Sequence, residues 1–107
     1  MEKSNRDFFN FEKLLVYQKA LNYIDFVYTL TEKFPKEEIF NLTSQFKRAA
    51  NSIALNIGEG SGGAPKEFRN FIRISFRSLN ECVVCSTLAI RRNFITNEQN
   101  EKSREQL

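Results

Sequence analysis

Three stretches of this chain repeat their apolar residues at a period near 3.6, with clear breakers between them, a pattern that is satisfied by helices packing side by side. Pro35 follows Phe34 and opens the polar run Lys36-Glu37-Glu38. Gly58, Gly60, Gly62, Gly63 and Pro65 punctuate the second boundary, and residues 93–97 the third. No Val/Ile/Thr-rich alternating segment reads as a strand. The expected fold is all-α: an antiparallel up-and-down helical bundle with three long helices and a short or incomplete fourth. Its 107 residues form a single domain that can bury a core without a cofactor. Residues 1–9 are expected to be flexible, and residues 96–107 to be weakly anchored.

The first helix is expected over residues 10–33, about 35 Å long at 1.5 Å per residue. Val16, Ala20, Ile24, Val27, Thr31 and Phe34 share its core face, flanked by Tyr17, Tyr23 and Leu30. The second, over residues 42–57, stacks Leu42, Phe46, Ala49, Ile53 and Ile57, and the small side chains of Ala49, Ala50 and Ala54 allow close approach of a neighbour. Beside that seam run Gln45, Arg48, Ser52, Asn56 and Glu59. So placed at the edge of the core, they are expected to hydrogen-bond adjoining helices or a neighbouring subunit, with ligand binding as the alternative. On the third helix Phe68, Phe71, Ile72, Ser75, Leu79, Cys82, Val83, Ser86, Ala89 and Ile90 cluster on one face, the expected core side. Thr96 and Gln99 make a capping box for the fourth, but from residue 97 onward Leu107 alone is hydrophobic.

Charge is unevenly spread. The net charge is +3, and residues 61–95 carry six bases against two acids. Lys66, Arg69, Arg73 and Arg77 fall on one line of the third helix, opposite its apolar face, with Glu67 and Glu81 as the nearby acids. Such a line is either a solvated face or a contact surface for RNA or DNA phosphates. Lys47, Arg48, Arg91 and Arg92 are secondary basic candidates. No aromatic residue is interleaved among the arginines, so backbone contacts with little sequence selectivity are expected.

Other chemistries find little support. The chain has no His, which removes the commonest general base and metal ligand. No nucleophile has a base at a usable spacing, so the protein is read as a non-enzyme with no metal and no cofactor. Cys82 and Cys85 form one C-x-x-C inside a helical pattern, where two reduced packing thiols are expected. The run Gly58-Glu59-Gly60-Ser61-Gly62-Gly63 follows a helix rather than a strand, and Ala64-Pro65-Lys66 stands in place of the lysine-hydroxyl pair of phosphate loops. A helix end followed by a flexible turn is expected there. With neither a signal-peptide pattern nor an apolar run near membrane-spanning length, a cytoplasmic location without membrane contact is expected.

The block Leu42-Thr43-Ser44-Gln45, Arg48-Ala49-Ala50, Ser52-Ile53, Asn56-Ile57 and Glu59-Gly60 resembles the signature of the bacterial four-helix-bundle proteins encoded in intervening sequences of 23S ribosomal RNA genes. Phe11-x-x-Leu14-x-Val16-Tyr17-Gln18-Lys19-Ala20 is similar to that family's first helix, and Glu67-Phe68-x-x-Phe71 with Ser78-Leu79-x-Glu81 to its third. The resemblance implies a bundle that assembles as a ring, commonly a homopentamer, with no enzymatic activity. Accessory proteins of diversity-generating retroelements are similar, and they imply a basic scaffold for nucleic acid and a protein partner. It also marks Gln45, Arg48, Ser52, Asn56, Glu59 and Glu81 as structural or interface residues. Arg77 stands where the family usually has a small residue, Gly62 and Gly63 replace a polar turn, and the tail lacks the apolar positions of a full fourth helix. Two functions remain open: a homo-oligomeric scaffold binding nucleic acid, or the same scaffold holding a protein.

Overall fold

The computed structural model describes residues 10–107; the N-terminal residues 1–9, expected to be flexible, lie outside them. The described residues form four α-helices, α1 (Leu15–Thr31), α2 (Leu42–Gly60), α3 (Pro65–Arg91) and α4 (Asn97–Glu105), packed as an antiparallel bundle. A 3-10 turn, Asn10–Lys13, precedes α1, and a second, Lys36–Glu38, lies between α1 and α2.

Local chemistry sets the boundaries, and two of them differ from expectation. The first helix begins at Leu15, not at residue 10, because Leu14 is extended (φ −67°, ψ 130°). That break turns Phe11 back onto Tyr17, edge to face at 5.1 Å. The second helix runs on through Gly58 and Gly60 instead of ending near Ile57. Gly60 is required there by proximity: a Cβ on it would lie 2.5 Å from Cβ of Phe71 on α3. Glu38 starts α2 by accepting hydrogen bonds from Leu42 N and Asn41 Nδ2, both at 3.2 Å. Pro65 occupies the first turn of α3, and Glu67 accepts from the Ala64 amide at 3.0 Å. The far end of α3 closes in a Schellman motif: Asn93 takes φ 62°, its amide bonds to Ile90 O at 3.0 Å, and the Phe94 amide bonds to Ala89 O at 2.8 Å.

The largest helix contact is α2 against α3. Fully buried residues on α3 are all small: Ser75, Ser78, Cys82, Cys85, Ser86 and Ala89. Ser75 Oγ donates to Ile53 O at 3.1 Å, and Ser78 Oγ to Ser52 Oγ at 2.9 Å, so the polar atoms on this seam are paired across it. From α1, Ala20, Tyr23, Val27, Leu30 and Thr31, with Phe34 just past its end, enter the core as the period predicted, but Ile24 is only half-buried and Val16 is 50% exposed. Val16 lies two turns from Tyr23 on the same face of α1. Tyr23 is covered there by α4, which is too short to reach Val16.

That short helix lacks an apolar stripe and is seated by hydrogen bonds instead. Tyr23 Oη and Ser103 Oγ are 2.8 Å apart in the core, Ser86 Oγ donates to Asn100 Oδ1 at 2.6 Å, and Arg104 donates to Thr87 Oγ1 at 2.8 Å. Phe94, in contact with Phe34 at 5.4 Å, and buried Ile95 pin the connection into α4.

Two predictions follow from this packing. Ser103→Ala strands the buried Tyr23 hydroxyl and should destabilise by about 1–3 kcal/mol, whereas Tyr23→Phe with Ser103→Ala should lose less than the two single changes added together. Urea unfolding of all three variants measures the coupling, and additive losses would refute it. Gly60→Ala should destabilise by about 1–3 kcal/mol despite the better helix propensity of Ala. Gly62→Ala, with nothing within 4 Å of its added Cβ, should stay within about 0.5 kcal/mol of the parent.

Candidate nucleic-acid interface

Helix α3 carries the basic line on its outer face. Lys66, Arg69, Arg73 and Arg77 are all exposed, and at 1.5 Å per residue they cover about 16 Å of helix. They stand opposite the small buried residues that pack on α2, so the fold makes no demand on their charge. Beyond Arg77 the same line changes character: Val84 and Leu88 follow, 55% and 36% exposed. Arg91 and Arg92 are exposed at the other end of α3, about 20 Å beyond Arg77, and do not join the cluster. Nor does Lys47, whose Nζ lies 4.7 Å over the Tyr28 ring, tying α2 to α1.

Four of the signature side chains meet between α2 and α3. Gln45, Arg48, Ser52 and Glu81, with Phe40 and Asn41 at the rim, line an open polar cavity of about 430 Å³. Asn56 reaches it through Ser52, donating to Ser52 O at 2.8 Å and to Ser52 Oγ at 2.9 Å. The polar line of α2 thus bonds within its own helix and, through Ser78, to α3. Glu59 is separate: it borders an apolar groove of about 470 Å³ between α1 and α2, with Phe11, Tyr17, Leu21, Ile24 and Leu55.

Phe40 escaped the sequence reading. It is 95% exposed and rims the polar cavity, and the residue before it, Ile39, is 50% exposed. The available signal was two bulky apolar residues in a polar turn, outside any helical period. Leu21 and Leu55, 41% and 61% exposed beside the groove, were missed because their helices already had complete core faces.

The C-x-x-C pair is two free, buried thiols. Burial pushes Cys82 up to about 12, helped by Cys85 beside it, and Cys85 up to about 11, with Glu81 adding to the effect. Burial also raises Tyr23, against the opposing hydrogen bond from Ser103. Thiols held so firmly protonated are packing groups rather than nucleophiles. Among the described residues no cluster of His, Cys, Asp and Glu could hold a metal ion, and no helix is long and apolar enough to cross a membrane.

Comparison with known proteins agrees with the helical signature. The family model described as 23S rRNA-intervening sequence protein matches residues 12–107, which takes in all four helices. No curated protein matches the chain.

The raised thiols carry a consequence for stability. An unfolded cysteine ionises near its ordinary value of 9.0, while the folded chain retains both protons to about 11 and 12. Above pH 9 the unfolded state therefore binds fewer protons, and stability falls as pH rises towards 11–12. Urea midpoints from pH 8 to 11 should fall more steeply for the parent than for Cys82→Ala with Cys85→Ala. Equal slopes would show that the thiols do not contribute.

Proposed function

Because the chain belongs to the 23S rRNA-intervening sequence protein family, we propose that it is a non-enzymatic, cytoplasmic, homo-oligomeric scaffold of ring-like form that binds RNA or DNA phosphates through Lys66, Arg69, Arg73 and Arg77. The observation that carries this reading is the exposed basic line on α3, set on a face that packing leaves free. A rigid helix presenting four cations along about 16 Å contacts a phosphate backbone without reading bases. Each phosphate neutralised releases counterions, so affinity falls steeply with salt. A homopentamer, the state the family resemblance implies, would repeat the line on every copy.

The second reading is a protein scaffold without nucleic-acid contact. It is favoured by Val84 and Leu88, apolar and exposed on the same face of α3. Phosphates have no use for them, and a protein partner has.

The test is binding to mixed-sequence RNA and DNA between about 50 and 200 mM salt. The log–log slope should be about 0.7–0.9 per phosphate contacted. Arg69→Glu with Arg73→Glu should abolish most binding while helicity and molecular size stay those of the parent. No binding by the parent at the lowest salt, or equal binding by the double variant, would give the protein-scaffold reading the lead.

A further inference from the structure

Phe76 gives the basic line of α3 a flat apolar face. We infer that the line takes single-stranded nucleic acid rather than duplex, with an unpaired base stacked on the Phe76 ring while Lys66, Arg69, Arg73 and Arg77 follow the phosphates beside it. This rests on the phosphate-binding part of the proposed function and names the class of strand that it selects.

Placement is the first observation. Phe76 lies three residues beyond Arg73, about 4.5 Å along the helix, and directly before Arg77, so it stands on the flank of the line within a turn of two of its cations. Side chains on a helix lean back towards its N-terminus, which directs Phe76 towards the turn of Ile72 and Arg73. Ile72 and Leu79, a turn to either side, are half-buried against the core, while Arg73, Arg77 and Asn80 are exposed. The ring therefore has an apolar inner border and a cationic outer one.

The second observation is that the ring is free. It is 62% exposed, and among the described residues no aromatic ring is stacked on it and no cation sits over it. A base laid on it covers the apolar face while the polar edges of the base stay in water.

Charge is the third. Arg69, Arg73 and Arg77 rise in steps of about 6 Å, close to the step between successive phosphates of an extended strand. The two acids of α3 do not intrude: Glu67 is hydrogen-bonded to the Ala64 amide, and Glu81 lines the polar cavity towards α2. Pairing of this face with its own counterpart on a second copy would set like charges against each other, whereas a polyanion complements it. A duplex also offers phosphates, but its bases are already stacked on one another and leave the ring nothing to cover. Stacking is indifferent to which base it meets, so the selection is for unpaired strands and not for a sequence.

Fluorescence anisotropy of the full chain tests this, with mixed-sequence DNA and RNA strands of about 16 nucleotides, the same strands annealed to their complements, and an abasic strand of equal length. The parent should bind the single strands more tightly than the duplexes and about tenfold more tightly than the abasic strand. Phe76→Ala should lose that tenfold on single strands, leave duplex and abasic binding unchanged, and keep the parent's salt slope, since no phosphate contact is lost. Phe76→Trp should retain the preference, and both variants should keep the parent's helicity and molecular size. A parent that binds no strand at all overturns this inference together with the phosphate-binding reading. Binding that Arg69→Glu with Arg73→Glu abolishes, but that Phe76→Ala leaves intact on single strands, overturns the stacking alone, as does equal affinity of the parent for duplex and single strand. A Phe76→Ala variant that loses duplex binding equally, or that changes molecular size, would make Phe76 a packing or subunit contact and overturn the stacking as well.

Discussion

Helices α2 and α3 can lie as close as they do because one stripe on each is built of small residues. Ser52 meets Ser78, the Ile53 carbonyl takes the Ser75 hydroxyl, and Gly60 admits the Phe71 side chain into space a methyl group would fill. Small side chains let the backbones approach, and the approach brings serine hydroxyls within reach of partners, so the seam is close-packed without stranding polar atoms. The position of every other element is referred to this pair. The α3 basic line faces outward because the opposite side of that helix is committed to α2. The polar cavity exists because Arg48 and Glu81 flank the same seam.

The periods of the three long helices were legible because each carries a face of buried residues at regular spacing: Leu42, Phe46, Ala49, Ile53 and Ile57 are all buried as read. The boundaries were legible where a residue has a local partner, as with Asn93 at the end of α3. They were misread where the deciding contact is distant. Gly58 and Gly60 signal a helix end on propensity, yet Gly60 is helical because Phe71, eleven residues later, needs the space. Val16 continues the core period of α1, and its exposure depends on where α4 stops, which no property of α1 encodes. Of the candidate site residues, Gln45, Arg48, Ser52 and Glu81 meet in one cavity although Glu81 belongs to a different helix. Glu59 and Lys47 face elsewhere, because spacing along a helix gives the face but not the neighbour that covers it.

The attachment of α4 shows how a helix without an apolar residue can still be placed. Three side-chain hydrogen bonds, one of them deep in the core, hold it against α1 and α3, where most bundles would use leucines. Hydrogen bonds of this kind contribute little net stability but have strict geometry, so they specify position more than they add strength. Below the end of α4, Val16 on α1 and Phe76 on α3, 50% and 62% exposed, lie on the faces that α4 covers higher up. The apolar surface that α4 is too short to cover therefore reaches along α3 to Phe76, which borders the basic line beside Arg73 and Arg77.

Separation of surfaces decides how charge would act in an assembly of the proposed kind. A contact between copies that leaves the outer face of α3 open keeps the basic line available in every copy. The charge on each copy is modest, +3. At physiological ionic strength screening sets in over about 8 Å, while the bundle is at least 25 Å across. Basic lines on neighbouring copies therefore do not sum into one strong field. A flexible polyanion long enough to touch several copies gains instead by effective concentration, since each bound segment holds the next near another basic line. Short oligonucleotides should then bind about as weakly to the assembly as to one subunit, and affinity should rise steeply only once a strand spans two copies. That length dependence distinguishes repeated weak sites from a single focused one.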